Sequence, residues 1–325
     1  MSAVRLLTYN ILLGGARREE RIAAVLKRSR ADLIALQEIR NDGLVERLAE
    51  HLGMAHVYGF ASDGGDLGLA VLSRHPLVAH HNHRHPTMLR SHLEVTVQPR
   101  RGVRLRIHVV HLAARFGERA KGEARRLREL EGVLTDIAAA PAAPHLIAGD
   151  LNTLAPGDDL EATRFFRRMA ELRRARLLVR QADGWVGPAA AESVERSLDE
   201  SWLAHGIDPG LRAGVPVLPG LVGPLTAWLP QSQALDGVMA RMIERWVVPR
   251  LLSAGYVDCY RNLHPRAHGY TCATWLPAAR VDYVFASPQL AAKLQACDVV
   301  GGHARSGGEV ATASDHFPLL VQLDL

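Results

Sequence analysis

Short apolar runs alternating with amphipathic stretches, a 48% hydrophobic composition and a length of 325 residues predict an α/β fold with a large buried core. Val4–Tyr9, Leu33–Leu36, Leu67–Leu72, Leu93–Val97, Leu105–His111 and Leu146–Ala148 read as strands. Between the last two, Leu127, Leu130, Leu134 and Ile137 fall on one helical face. Arg119, Glu123, Arg125, Arg126 and Glu129 cover much of the remainder, which predicts an amphipathic helix with a solvated polar side. Strand character returns at Val281–Phe285 and Phe317–Leu323, and no internal repeat or long low-complexity tract interrupts the pattern.

The expected organisation is a single domain over residues 1–325, interrupted by an insertion at about 155–250. Within that stretch Arg164, Arg167, Arg168, Arg173, Arg174, Arg176 and Arg180 share one basic helical segment, and a Gly/Pro-rich passage follows around Pro209–Pro230. It also holds Trp185, Trp202, Trp228 and Trp246. Rings of that size are unusual in a disordered linker and predict a segment folded against the main domain.

Composition narrows the function classes. Cys259, Cys272 and Cys297 are too few and too late for a disulfide framework, and no C-x-x-C spacing suggests zinc, so a reducing compartment is expected. The first residues lack the pattern of a secretory signal, and no apolar run reaches membrane-spanning length. The expectation is a cytoplasmic protein without a transmembrane segment. A formal charge of +5 and a pI near 9.4 are compatible with a polyanionic partner but do not require one.

Chemistry-bearing residues sit at the ends of apolar runs, where a strand delivers its last side chain to the rim of a sheet. They are Asn10, Glu38, His111, Asp150, Asn152, Asp282, Asp315 and His316. Singly each has a local use. Asn10 can form a turn, Glu38 can cap a helix, Asp150 and Asn152 can make an Asx turn, His111 can be a satisfied core histidine, and Asp315-His316 can open a strand. As a set, carboxylates, amides and histidines at successive strand ends make a hard-oxygen metal site with proton-transfer groups beside it.

At these residues the chain resembles the endonuclease/exonuclease/phosphatase superfamily. The resemblance runs in order through Thr-Tyr-Asn, Leu-Gln-Glu, Gly-Leu-Ala-Val-Leu-Ser-Arg-His-Pro, Val-His-Leu, Gly-Asp-Leu-Asn-Thr, Gly-Tyr-Val-Asp-Cys-Tyr-Arg, Arg-Val-Asp-Tyr-Val-Phe and Ser-Asp-His-Phe-Pro. It covers residues 3–154 and about 251–325 and leaves the insertion outside. It implies a four-layer α/β/β/α sandwich of two mainly antiparallel sheets with outer helices. It further implies Mg²⁺, with Mn²⁺ as a substitute, held by Glu38 with Asn10 and Asp315 nearby. Asp150 would orient or deprotonate the attacking water, and Asn152 would hold a phosphate oxygen. His316, oriented by Asp282, would bind the phosphate, and His111 would contact it or protonate the leaving oxygen. Either Asp150 or His316 could serve as the base.

The favoured activity is hydrolysis of a phosphodiester, with DNA ahead of RNA and small diesters because of the basic charge. The rivals are a phosphomonoesterase or a lipid phosphodiesterase of the inositol-phosphate or sphingomyelinase kind, and a catalytically silent binding module. Apurinic endonucleases of the superfamily place a tyrosine where this chain has Val-His-Leu, so His111 points away from that branch. The histidines from His75 to His92 alternate along one stretch, and alternation sends neighbours to opposite faces, so no transition-metal site is expected there. Ser314-Asp315-His316 is no serine-hydrolase triad, because adjacent residues cannot occupy those three positions.

Overall fold

The computed structural model describes residues 3–61, 66–114, 118–182, 197–204, 207–215, 228–301 and 310–325. The described chain divides into two compact units, Met1–Asp158 with Ile243–Leu325, and Asp159–Met242.

The larger unit contains two six-stranded sheets. The first is built from β1 (Ala3–Asn10), β2 (Leu33–Ile39), β3 (Ala55–Gly59), β4 (Gly68–Ser73), β11 (Leu294–Val299) and β12 (Leu319–Asp324), in the order β11-β12-β1-β2-β4-β3. The second is built from β5 (Leu77–His83), β6 (His92–Arg100), β7 (Val103–His111), β8 (His145–Asp150), β9 (Val257–Asp258) and β10 (Asp282–Ala286), in the order β5-β6-β7-β8-β10-β9. Each sheet has one parallel pair, β1 with β2 and β7 with β8, and is otherwise antiparallel. A parallel pair needs a crossover. These are supplied by the helices α1 (Glu19–Ser29) and α3 (Ala120–Ala139).

Local sequence explains the helices. α1 opens with Glu19 and Glu20, closes with Lys27 and Arg28 against its macrodipole, and buries Ile22, Val25 and Leu26. α2 (Asp42–Leu52) starts where the Asn41 side chain accepts from Leu44 N at 3.1 Å and stops at Gly53, whose φ of 61° suits glycine. Both helices pack with the first sheet and the space between the sheets into one continuous apolar core. On the far side, Leu130 and Val133 of α3 join Val247, Val248 and Leu251 in a second core against Val110, Ile147, Tyr283 and Phe285. The architecture is therefore the expected α/β/β/α sandwich.

The smaller unit carries α4 (Ala162–Ala182) and the helix Gln233–Arg241, whose Asp236 accepts from Thr163 N at 2.7 Å. Met169 and Leu172 of α4 are buried and Phe165 is half-buried. Arg164 pairs with Glu161 at 2.5 Å and Arg168 with Glu171 at 3.1 Å. Trp202 is buried, Trp228 is exposed, Trp246 belongs to the larger unit, and Trp185 lies outside the described residues. Cys259, Cys272 and Cys297 are free thiols, and no helix among the described residues is long and apolar enough to cross a membrane.

Candidate active site at the carboxyl ends of the parallel strands

The two parallel pairs end at the same edge of the sandwich. Strands β1 and β2 deliver Asn10 and Glu38 there, while β7 and β8 deliver His111 and Asp150. Asn10 joins the two sheets directly, because its Nδ2 donates to Glu38 Oε1 at 3.1 Å and to Asp150 Oδ2 at 3.0 Å. Glu38 reaches this position through a β-bulge. The β2/β4 register shifts between Gln37 and Ile39, and Glu38, the unpaired residue, has φ 63°. Leu13 N then donates to Glu38 Oε2 at 2.7 Å and holds the carboxylate in place.

Asp150 is set by its neighbours in the chain. Gly149 has φ 147°, and a Cβ there would lie 1.9 Å from the Val110 carbonyl oxygen, so only glycine lets β8 approach β7 this closely. Asp150 Oδ1 accepts from Asn152 N at 2.9 Å, an Asx turn that places Asn152 at φ 49°, and Asn152 Nδ2 donates to Leu112 O at 3.0 Å. The local role of the motif and its place in the site are therefore the same geometry. His111 Nε2 approaches Asp150 Oδ2 to 3.4 Å without hydrogen-bond geometry, and neither of its ring nitrogens has a hydrogen-bond partner among the described residues.

Strand pairing sets Asp282 directly opposite Asp150, two acids where like charges repel. His316 bridges them. Its Nδ1 lies 2.8 Å from Asp282 Oδ2 and its Nε2 lies 3.9 Å from Asp150 Oδ2. Burial pulls the His316 pKa down, but the charge of Asp282 and its neighbours overrides this and carries it well above the ordinary value. Burial, reinforced by Asp282, pushes the Asp150 carboxyl up. Burial also holds His111 far below the ordinary range, aided by Arg90, so its ring is neutral.

Asp315 is buried beside this group, its carboxyl raised by burial and, more weakly, by the charge of Glu38. Ser314 Oγ donates to Asn10 O at 2.7 Å and serves as a strut between the chain ends. Thr271 Oγ1 accepts from both Val281 N and Asp282 N, at 3.0 and 3.1 Å. Arg280, fully buried, binds Asp158 and Asp258 at 2.9 and 2.8 Å and anchors the start of β10 from below.

All eight residues singled out in the sequence meet at or beside this edge. What the sequence reading missed is the support. Glu123, Arg126 and Glu129 of α3 were expected on a solvated face, yet they are buried. Glu129 accepts from Ala113 N at 2.8 Å, Arg126 donates to Ala113 O at 3.1 Å, and Glu123 accepts from Thr153 Oγ1 at 2.8 Å. The backbone of Ala113, beyond the end of β7, is satisfied by Glu129 and Arg126, while Glu123 takes the Thr153 hydroxyl together with Trp246 N and Val247 N. Helical periodicity marks an apolar face but cannot tell that buried loop groups need polar partners.

Two groupings at this edge could hold a cation. Asp150, Asp282 and His316 place ligand atoms within 4.8 Å of one another, but the charge on His316 repels a cation there. Glu38, Asn10 and Asp315 offer hard oxygens, and half-buried Glu38 lies close enough to buried Asp315 to help raise its pKa, a setting that a divalent cation relieves.

The chain belongs to the Endonuclease/Exonuclease/phosphatase family, whose model matches residues 7–316. That membership gives the class: the protein is an enzyme that hydrolyses phosphate esters. No curated protein matches the chain. Among solved structures it is similar to an AP endonuclease from Archaeoglobus fulgidus at TM-score 0.59 and 15% identity, over 99% of this chain and 100% of that one. It is similar to a humanized D. rerio TDP2 at 0.57 and 17%, over 100% of both chains. A 3' phosphatase, NExo, from Neisseria bound to product DNA hairpin follows at 0.54 and 17%, over 99% of this chain and 100% of that one.

Proposed function

We propose that this protein hydrolyses phosphodiesters, with DNA as its favoured substrate, and that it works with Mg²⁺, for which Mn²⁺ can substitute. The observation that carries the reading is the setting of Asp150: a buried carboxylate within 3.0 Å of Asn10 Nδ2, 3.4 Å of His111 Nε2 and 3.9 Å of His316 Nε2. Asp150, raised in pKa, takes a proton from the attacking water. His316 is held charged by Asp282 and cannot also act as a base, so it stabilises the developing charge on the phosphate. One amide hydrogen of Asn152 is committed to Leu112 O, and the other holds a phosphate oxygen. Neutral His111 donates a hydrogen bond to the phosphate or the leaving oxygen.

Glu38, with Asn10 and Asp315 beside it, would hold the cation. When bound it neutralises phosphate charge and favours the in-line displacement. The preference for DNA rests on the net charge of +5 and on the neighbouring 3' phosphatase bound to product DNA hairpin.

Excess chelator should abolish turnover and added Mg²⁺ should restore it, in a screen against plasmid DNA, an aryl phosphodiester, inositol phosphates and sphingomyelin. Full activity in the chelated protein overturns the metal reading. Turnover of sphingomyelin or inositol phosphates without DNA cleavage replaces the substrate and leaves the chemistry standing.

A further inference from the structure

The outer face of the second sheet should be apolar where α3 covers it, yet a row of imidazoles crosses it. His83 of β5 stands opposite His92 of β6, and His108 of β7 lies beside His92. Their rings follow one another at centroid separations of 4.6 and 5.0 Å. His92 and His108 are fully buried. Neutral imidazoles there fill space that valine or isoleucine would fill without desolvating a polar group.

Three ring nitrogens converge on one oxygen of α3. His85 Nε2, His92 Nδ1 and His83 Nδ1 lie 2.7, 3.0 and 3.4 Å from Asp136 Oδ2. His85 and His92 hydrogen-bond to it, while His83 Nδ1 stands close by without such a bond. Ligand atoms of His83, His92 and Asp136 all lie within 4.8 Å of one another, a spacing that a shared ion with bonds of about 2.0–2.1 Å can draw together. The far nitrogens are already engaged, His83 Nε2 by Glu94 Oε2 at 3.0 Å and His92 Nε2 by His108 Nδ1 at 2.9 Å. Such outer contacts orient metal-ligating histidines and fix their tautomers. His83, His85 and Asp136 are 19%, 24% and 16% exposed, which leaves an entry path.

We propose that His83, His92 and Asp136 form a second metal site, with His85 holding the Asp136 carboxylate, for a borderline divalent ion such as Zn²⁺, Co²⁺ or Ni²⁺, on the outer face of this sheet. Two imidazoles and one carboxylate select such ions over Mg²⁺, which prefers oxygen. The ion would pin the edge strand β5 and the loop after it to α3.

The test uses the full-length protein, freed of metal and titrated with Zn²⁺ by calorimetry in excess Mg²⁺, and with Co²⁺ by visible absorption. One equivalent should bind, with the intense bands of four-coordinate Co²⁺ and a rise in Tm. Ligand nitrogens must be deprotonated, so affinity should fall on acidification. His83→Gln and Asp136→Asn, both at partly exposed positions, should each weaken binding at least about tenfold, and Glu38→Gln should leave it unchanged. Absence of saturable binding, or unchanged affinity in His83→Gln and Asp136→Asn, overturns the site and leaves a hydrogen-bonded histidine layer. Loss of the equivalent in Glu38→Gln moves the ion to the other edge and also overturns it.

Discussion

One strand serves two polar clusters of opposite character. His111, at the end of β7, lies at the inner edge with neither ring nitrogen hydrogen-bonded among the described residues, while His108, three residues earlier, faces α3 and meets His92 at 2.9 Å. Both are buried, and burial lowers the pKa of both. His316 shows what a carboxylate adds: equally buried, it is charged because Asp282 faces its Nδ1 at 2.8 Å. The residue type therefore decides little. A buried histidine is a neutral donor, a cation or a metal ligand according to the nearest anion, and the two faces of one sheet supply different ones.

Mutation can break this contrast, and the largest effect is expected at Asp150. Asp150→Asn should reduce kcat about 10²–10⁴-fold, because the amide retains size without basicity. The same variant should be more stable than the parent in metal-free buffer, since it removes one of two facing acids. The sign follows from linkage. The folded pKa of Asp150 is raised, so its favourable contribution is present below the ordinary carboxylate pKa and is lost as pH rises through the raised value. The Tm advantage of Asp150→Asn should accordingly grow from about pH 4 towards neutrality. A pH-independent difference would place the charge of Asp150 elsewhere.

His316→Ala should approach the same loss in kcat, and Asp282→Asn should be milder while lowering the pH at which His316 gives up its proton, read by histidine NMR. An unchanged titration in Asp282→Asn would remove Asp282 as the orienting group. On the outer face Asp136→Asn should leave kcat on an aryl phosphodiester unchanged, and a marked loss there would show that the two faces are coupled.

The smallest effect concerns α4. Neutralising Arg167, Arg168, Arg173 and Arg174 should raise KM for long DNA and flatten its salt dependence, with little change for an aryl phosphodiester. Arg168 already pairs with Glu171 at 3.1 Å within the helix, which limits the gain from freeing it to phosphate. Equal effects on both substrates would remove α4 from the DNA-binding surface.

The strands legible in the sequence were the central ones. Leu33–Leu36 and Leu146–Ala148 lie inside sheets, buried from both sides, and so read as unbroken apolar runs. The strands not anticipated, β3, β5, β9 and β11, are the four sheet edges. Edge strands keep a wet face; four successive residues of β5 are exposed, and its histidines hide the strand pattern. The eight residues that gather at this edge were legible for a related reason, since a polar residue ending a buried run has few structural uses. The sequence by itself thus determined the α/β class, the central strands and the identity of the chemical groups at their ends, because those follow from hydrophobic patterning along the chain. Only the tertiary structure decided that Glu38 turns inward through a bulge, that Glu123 and Glu129 hold the site's loops, and that His83, His85 and His92 meet Asp136. Those depend on partners up to 124 residues apart, as Glu123 and Val247 are, and on which backbone groups burial leaves unpaired, neither of which has a period in sequence.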